Sequence, residues 1–302
     1  MKYSPEGTNP ALLKKFYDVE ALKEAIASRE IIEGVVSVCD SQHNLYVSLG
    51  GFTGVLPRLE GALGILEGTV RDIALISKVN RKVCFRIMGL HRNDKGDLVP
   101  VLSRRNVQLE CKREYVDKLR AGDIISARVT RLESFGAFID IGCGINSLIP
   151  IDFLSVSRIN HTSERLKNGE IIKAVLKSTE DNKLTFSLKE LLGTWSENAS
   201  RFKSGETVTG IVRSVEDYGI FVELAPNLAG LADPRSDIKK GDKVSVFIKS
   251  ISASKMKIKL AIVEAFPEAD EVPPLEYYIT ENHISEWLYS PPAASKIIYT
   301  KF

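Results

Sequence analysis

The stretch that begins at Gly122 is written again from Gly205, an offset of 83 residues that holds without a gap for nearly thirty positions. Gly122-Asp123 falls on Gly205-Glu206, Val129 on Val212, Phe135-Gly136 on Tyr218-Gly219, Phe138 on Phe221, Asp140 on Glu223 and Leu148 on Leu231. Such a repeat restricts the chain to similar folded units in series. With 302 residues and 44% hydrophobic composition, two or three separate cores can be filled.

Inside each copy, Ile125, Ala127 and Val129, like Val208, Gly210 and Val212, alternate with polar neighbours as a half-buried strand does. Ala137 to Ile141 and Ile220 to Leu224 alternate again, and the glycine ahead of each run, Gly136 or Gly219, fits a bulge or tight bend. Ile171 to Leu176 and Lys183 to Leu188 supply the last strands of one copy, and Val244 to Ile251 and Met256 to Ile262 those of the other. Five short strands with turn signals between them suggest a closed Greek-key barrel of the OB type. The second copy is 11 residues shorter between its third and fourth strands, so residues around Phe153 to Glu164 should form a helical turn or loop in the first copy alone.

Gly122, Val129, Phe135-Gly136-Ala137-Phe138-Ile139-Asp140 and the closing Leu184-Thr185-Phe186-Ser187-Leu188-Lys189 resemble the S1 domain, an RNA-binding OB barrel that recurs in ribosomal protein S1. Residues 31–105 resemble a third, divergent copy, with Gly34-Val35-Val36 and Leu45 to Gly50 as its first two strands. The expected class is therefore all-β dominated: tandem five-stranded OB-fold, S1-type barrels with linking helices. The expected order is a helical segment over 1–30, the divergent barrel over 31–105, a linking helix over 106–119, a barrel over 120–192, the shortened barrel over 203–263, and an acidic, proline-containing linker with an aromatic tail over 264–302. Leu12, Phe16, Val19, Leu22 and Ile26 stand at helical spacing in the first of these segments. The tail, with Tyr277, Tyr278, Trp287, Tyr289, Tyr299 and Phe302, is too aromatic for a disordered end and resembles the carboxyl end of small clostridial S1-repeat proteins. It should fold back to cap a barrel, the other reading being a peptide that docks on a partner.

Single-stranded RNA offers base faces to aromatic rings, at ~1 to 3 kcal/mol per stacked base, and phosphates to lysine or arginine. The family resemblance implies that the two aromatics of Phe-Gly-x-Phe lie on the RNA face beside a basic residue of the last strand. Carried over by position, these are Phe135, Phe138 and Lys183 in one copy and Tyr218, Phe221 and Lys257 in the other. His161, Lys173 and Lys177 accompany the first set as RNA-binding candidates, and Lys255 the second, with Lys259 nearby. A formal charge of only +2 means that affinity must come from such local clustering.

Each choice has a plainer competitor. Aromatics on strands usually pack in cores, and a lone lysine is usually a solvated strand residue. Arg104, Arg105, Lys112 and Arg113 share a helix with Glu110, Glu114 and Asp117 and read as a solvated, internally paired face. Where the family often has a groove-lining His and Asp, this chain has Pro150 and Thr179 in one copy and Asp233 and Ala253 in the other. The first barrel keeps only Tyr46, with His43 in place of the leading Phe, and is expected to be structural or protein-binding.

No Gly-x-x-x-x-Gly-Lys loop, Gly-x-Ser-x-Gly elbow or His-Glu-x-x-His helix occurs, and Gly142-Cys143-Gly144 falls in a strand-to-strand turn. Cys39, Cys84, Cys111 and Cys143 lack metal or redox spacing and read as reduced thiols, so neither metal nor cofactor is expected. The amino terminus carries no signal-peptide pattern, and a cytoplasmic location is expected. The leading expectation is a non-catalytic binder of single-stranded RNA, with mRNA in translation as target and ribosomal or RNA-processing proteins as further partners. The competing one is a protein-interaction scaffold that docks on ribosomal or RNA-degradation machinery and touches RNA little.

Overall fold

The computed structural model describes residues 2–180, 183–266 and 274–302, which form two compact units: residues 2–119 with 126–128 and 140–146, and the remainder. Asp18 opens α1 (Val19–Ser28) by accepting the Ala21 amide, and Arg29 ends it in the left-handed conformation. Leu22 and Ala25 of α1 are buried against a barrel made from β1 (Ile32–Cys39), β2 (Leu45–Ser48), β3 (Thr53–Leu56), β4 (Lys82–Arg92) and β5 (Leu98–Ser103). A short helix, α2 (Ile73–Ile76), lies between β3 and β4. The strands close in the order β1-β2-β3-β5-β4, with a parallel step where Val55 meets Val101. Ile32, Val36, Leu45, Val47, Phe85 and Leu102 fill the interior from alternate positions, as the period of two requires.

Two expectations for this unit need correction. The segment 1–30 is α-helical only over Val19–Ser28; upstream, past a 3-10 turn at Pro10–Leu12, Leu13 bridges Glu33 and Phe16 bridges Gly50. Phe16 is thus buried against a strand rather than on a helical face. The helix expected over 106–119 is α3 (Arg104–Glu114), capped by the Ser103 hydroxyl and followed by a 3-10 turn at Val116–Lys118.

Arg104 is not part of a solvated face. It is the first residue after Ser103 and turns inward, only 2% exposed, with Nε 2.6 Å from Glu6 Oε1 and Nη2 3.0 Å from Glu6 Oε2. Burial disfavours the Glu6 carboxylate, but Arg104 and Lys78 outweigh it and hold that group well below the usual carboxylate range. Beside it, the buried Asp140 carboxylate accepts the amides of Glu6, Gly142 and Gly144 at 2.8, 2.9 and 3.0 Å. Burial and the Glu6 charge push Asp140 up to about 6. Arg105, Lys112 and Arg113 do pair on the surface, with Glu67, Asp117 and Glu114. Cys84, Cys111 and Cys143 are buried free thiols.

Gly142-Cys143-Gly144 lies in the turn between β7 (Gly136–Asp140) and β8 (Asn146–Pro150) of a second barrel, completed by β6 (Ile124–Glu133), β9 (Ile171–Glu180) and β10 (Lys183–Ser187). Its order, β10-β8-β7-β6-β9 around the closure, is that of the first barrel. Thr194 and Glu197 form a capping box on α4 (Trp195–Ala199). The third barrel follows: β11 (Thr207–Glu216), β12 (Gly219–Ala225), β13 (Leu228–Ala232), β14 (Lys243–Ser252) and β15 (Lys257–Phe266), again closed in the same order. The residues placed at the start of the linker, Glu264 to Phe266, belong to β15 and pair with Ser245, Val244 and Lys243. Pro267 and Pro273 of that linker lie outside the described residues.

The aromatic tail folds back. Its hairpin, β16 (Glu286–Leu288) with β17 (Tyr299–Lys301), brings Trp287 and Tyr289 into the core cluster of the third barrel beside Trp195, Val212, Val244 and Leu260. The connection that is 11 residues longer in the second barrel carries two 3-10 turns, Ile151–Phe153 and Thr162–Glu164. From this insertion Val156 donates its amide to Asn227 Oδ1 at 2.9 Å and Ser157 to the Pro226 carbonyl at 3.2 Å. Among the described residues no helix is long and apolar enough to cross a membrane.

Candidate nucleic-acid interface

The glycine between the paired aromatics is set by the neighbouring strand. A Cβ on Gly136 would stand 2.7 Å from the Ile149 carbonyl oxygen, and one on Gly219 would stand 2.8 Å from that of Ala232. Both approaches are too close for any side chain, so each strand can cross its neighbour only at glycine. The ring before the glycine is thereby held at the barrel's rim. Phe135 is 56% exposed and Tyr218 69%. Each ring meets a half-buried partner edge to face: Phe135 and Phe138 at 6.0 Å and 89°, Tyr218 and Phe221 at 6.1 Å and 85°.

Strand register aligns the rest of the third-barrel face. Phe221 pairs with Leu231, Leu231 with Lys259 across the parallel step, and Lys259 with Ser250. Along β15 the residues alternate, Lys257 and Lys259 exposed and Ile258 and Leu260 buried, so both lysines share the outer face with the rings. The result is a groove of about 710 Å³ in which Tyr218, Phe221, Lys255, Lys257 and Lys259 come together with Trp195. Lys296 and Ile298 of the tail also line it, and none of its described lining residues is acidic. The nearby Asp233, which stands at the family's His position, is paired with Lys249 at 2.6 Å.

The second barrel has the same rings with less charge. Leu148, the counterpart of Leu231, pairs with Thr185 where the third barrel has Lys259. Lys183 is exposed at the start of β10, two residues ahead of Thr185 as Lys257 is two ahead of Lys259. The other basic candidates are engaged by the chain itself. Lys173 stands 5.8 Å over the Tyr277 ring, and Lys177 stands 4.9 Å over Phe153 and 3.6 Å from Glu190. His161 caps the 3-10 turn at Thr162–Glu164, its Nδ1 accepting the Ser163 amide at 3.1 Å.

In the first barrel the equivalent row is Tyr46, Val55, Val101 and Gly89, without a lysine. The Tyr46 hydroxyl is spent on Asp40 Oδ2 at 3.2 Å, and His43 sits in a positive-φ turn 3.9 Å from Asp72.

Lys296, Ile298 and Trp195 were not among the residues picked out from the sequence. The tail's aromatic content signalled that it folds back, but which barrel face it reaches depends on tertiary packing that no local pattern records.

The family model for the S1 RNA binding domain matches residues 118–189, the second barrel. Among curated proteins, the small ribosomal subunit protein bS1 of Rhodopseudomonas palustris is 32% identical over 153 residues, 47% of this chain and 26% of that protein. The bS1 of Staphylococcus epidermidis is 39% identical over 104 residues, 32% of this chain and 26% of that one. The chain thus spans about a quarter of the length of these relatives. Among solved structures, a multidomain protein with nucleic acid binding domains from Streptococcus pneumoniae is 16% identical, with a TM-score of 0.24, covering 86% of this chain and 78% of that one. The family match thus falls on one barrel, residues 118–189, which is an S1 RNA binding domain, and the strand order and aromatic pair of that barrel recur in the next.

Proposed function

We propose that the chain binds single-stranded RNA without catalysing a reaction, through the outer faces of its second and third barrels. Messenger RNA in the setting of translation, in the cytoplasm, is the target most consistent with similarity to proteins named bS1. One observation carries the reading: the same edge-to-face aromatic pair stands at the rim of two barrels, its leading ring mostly in water, and in the third barrel lysines line one groove with it. A ring left in water forgoes about 2 kcal/mol of burial. A base stacked on it restores that apolar contact, while the lysines meet the phosphates on either side.

The first barrel supports a different role. It lacks the lysines and the ring pair, and it exposes Leu66 and Ile73 at 56% and 65%. Contact with another protein suits it better than contact with RNA.

The test is the affinity for an unstructured RNA of about 20 nucleotides across a salt series. Binding at micromolar concentration or tighter in low salt, weakening linearly on a log–log plot, supports the reading. Affinity no better than millimolar at low salt contradicts it.

A further inference from the structure

We propose that the carboxyl-terminal segment is itself part of the nucleic-acid site of the third barrel, with Lys296 supplying a phosphate contact and Ile298 an apolar wall. This rests on the RNA-binding reading above and deepens it. The segment is fixed rather than loosely draped. Trp287 is 5% exposed in the barrel's core cluster, and the Tyr289 hydroxyl donates to the Asn227 carbonyl at 2.5 Å. The loop between them and β17 is closed on itself by Tyr289 N to Ile298 O at 3.0 Å and Ile298 N to Ser290 Oγ at 2.8 Å. Ser295 N then donates to the Ser254 carbonyl at 3.3 Å, which ties the loop to the β14–β15 turn just ahead of Lys255. Ile297 is 74% exposed, while Lys296 and Ile298 on either side of it line the groove.

Charge gives the class of ligand. Lys255, Lys257, Lys259 and Lys296 line one groove, and none makes an ion pair with a carboxylate among the described residues. A groove lined by four ammonium groups and no carboxylate among its described lining residues suits a polyanion. A flexible phosphodiester strand can follow them while its bases reach Tyr218 and Phe221; the second barrel, with Lys183 and Thr185 in the matching places, is the weaker site. The tail therefore caps the barrel on one side and presents a charge to the ligand on the other.

The experiment uses the full chain and a fluorescent 12-nucleotide oligouridylate, with anisotropy read over a range of salt. Lys296→Ala is expected to weaken binding by about five-fold in low salt and to reduce the log–log salt slope by about 0.7, the value for one single-strand phosphate contact. Lys301→Ala removes the same charge from β17, outside the groove, and is expected to stay within about two-fold of the unsubstituted protein with an unchanged slope. Equal effects of the two substitutions overturn the inference. Tyr218→Ala with Phe221→Ala separates the two levels. If that pair binds RNA as tightly as the unsubstituted protein, the RNA reading of this barrel falls; if it loses binding while Lys296→Ala behaves like Lys301→Ala, only the role of the tail falls.

Discussion

Arg165, at the end of the longer connection of the second barrel, and Glu223, on the second strand of the third, form a buried bidentate pair, Nη1 to Oε1 at 2.8 Å and Nη2 to Oε2 at 2.7 Å. Arg213 reaches the same carboxylate, with Nε 2.9 Å from Oε2, and holds Glu164 of the insertion with Nη1 at 2.8 Å. Glu164 and Arg165, in the longer connection of the second barrel, thus tie it to the third, alongside Asn227, whose Nδ2 donates to the Lys189 and Gly193 carbonyls at 2.7 and 2.9 Å.

Removing one member of a buried ion pair leaves an unpaired charge, typically at a cost of about 3 to 5 kcal/mol. Glu223→Ala would leave two guanidinium groups facing each other, whereas Arg165→Ala leaves the carboxylate to Arg213. Denaturant unfolding should therefore show a loss of about 4 kcal/mol for Glu223→Ala and a clearly smaller one for Arg165→Ala. Burial disfavours ionised Glu223, but Arg165 and Arg213 prevail and lower its pKa. Its contribution is accordingly present above the unfolded carboxylate pKa and is lost as pH falls through the lower folded value. Equal losses for the two variants would contradict this arrangement.

Asp140 carries the opposite sign. With its folded pKa raised to about 6 from an ordinary 3.8, the folded protein holds a proton there that the unfolded chain has released between those values. Stability from the neutral carboxyl is full below the lower value and lost as pH rises through the upper one, by up to about 3 kcal/mol. Asp140→Asn cannot ionise. From pH 4 to pH 7 the unfolding free energy of the unsubstituted protein should drift downwards relative to that of the variant, and a drift the other way would contradict the raised pKa.

Gly122 and Gly205 open the two repeats with the same positive φ, +91° and +92°, but only Gly122 has the tail above it. A Cβ on Gly122 would stand 2.0 Å from the Ile284 carbonyl oxygen, and Ile284 N donates to the Gly122 carbonyl at 2.9 Å; nothing lies within 4 Å of one on Gly205. Gly205→Ala should cost only the left-handed backbone term, about 1 kcal/mol. Gly122→Ala should cost at least ~1 kcal/mol more, since backbone must move or strain, and should speed hydrogen exchange at the Ile284 amide.

Trp287 tests the cap. Trp287→Ala empties a buried site in the third barrel's core cluster and should destabilise it by about 3 to 5 kcal/mol. A loss below about 1 kcal/mol would mean that the tail rests on the barrel without belonging to its core.

Much of this was legible in the residues because it is written locally. Alternation over Ile125 to Val129 and Val208 to Val212 located first strands, and the 83-residue offset placed both aromatic pairs. The 11-residue difference located the insertion but gave no hint that Arg165 at its end would meet Glu223. Long-range pairing leaves no local trace. Arg104, which reads locally as part of a solvated face, is buried with Glu6, 98 positions away. Lys173 and Lys177 are candidates by their nearness to the rings in sequence, yet tail and loop aromatics stand against them, and Lys296 enters the groove from a segment with no repeat to announce it.

The most direct test of the central claim, that the rim aromatics form an RNA-binding face, is the affinity of a variant with Phe135, Phe138, Tyr218 and Phe221 all changed to Ala for an unstructured 20-nucleotide RNA, with circular dichroism confirming that the barrels remain folded. The expected result is binding weaker by about a hundred-fold or more, since each lost base stack contributes ~1 to 3 kcal/mol. A folded variant that binds this RNA as tightly as the unsubstituted chain would contradict the claim.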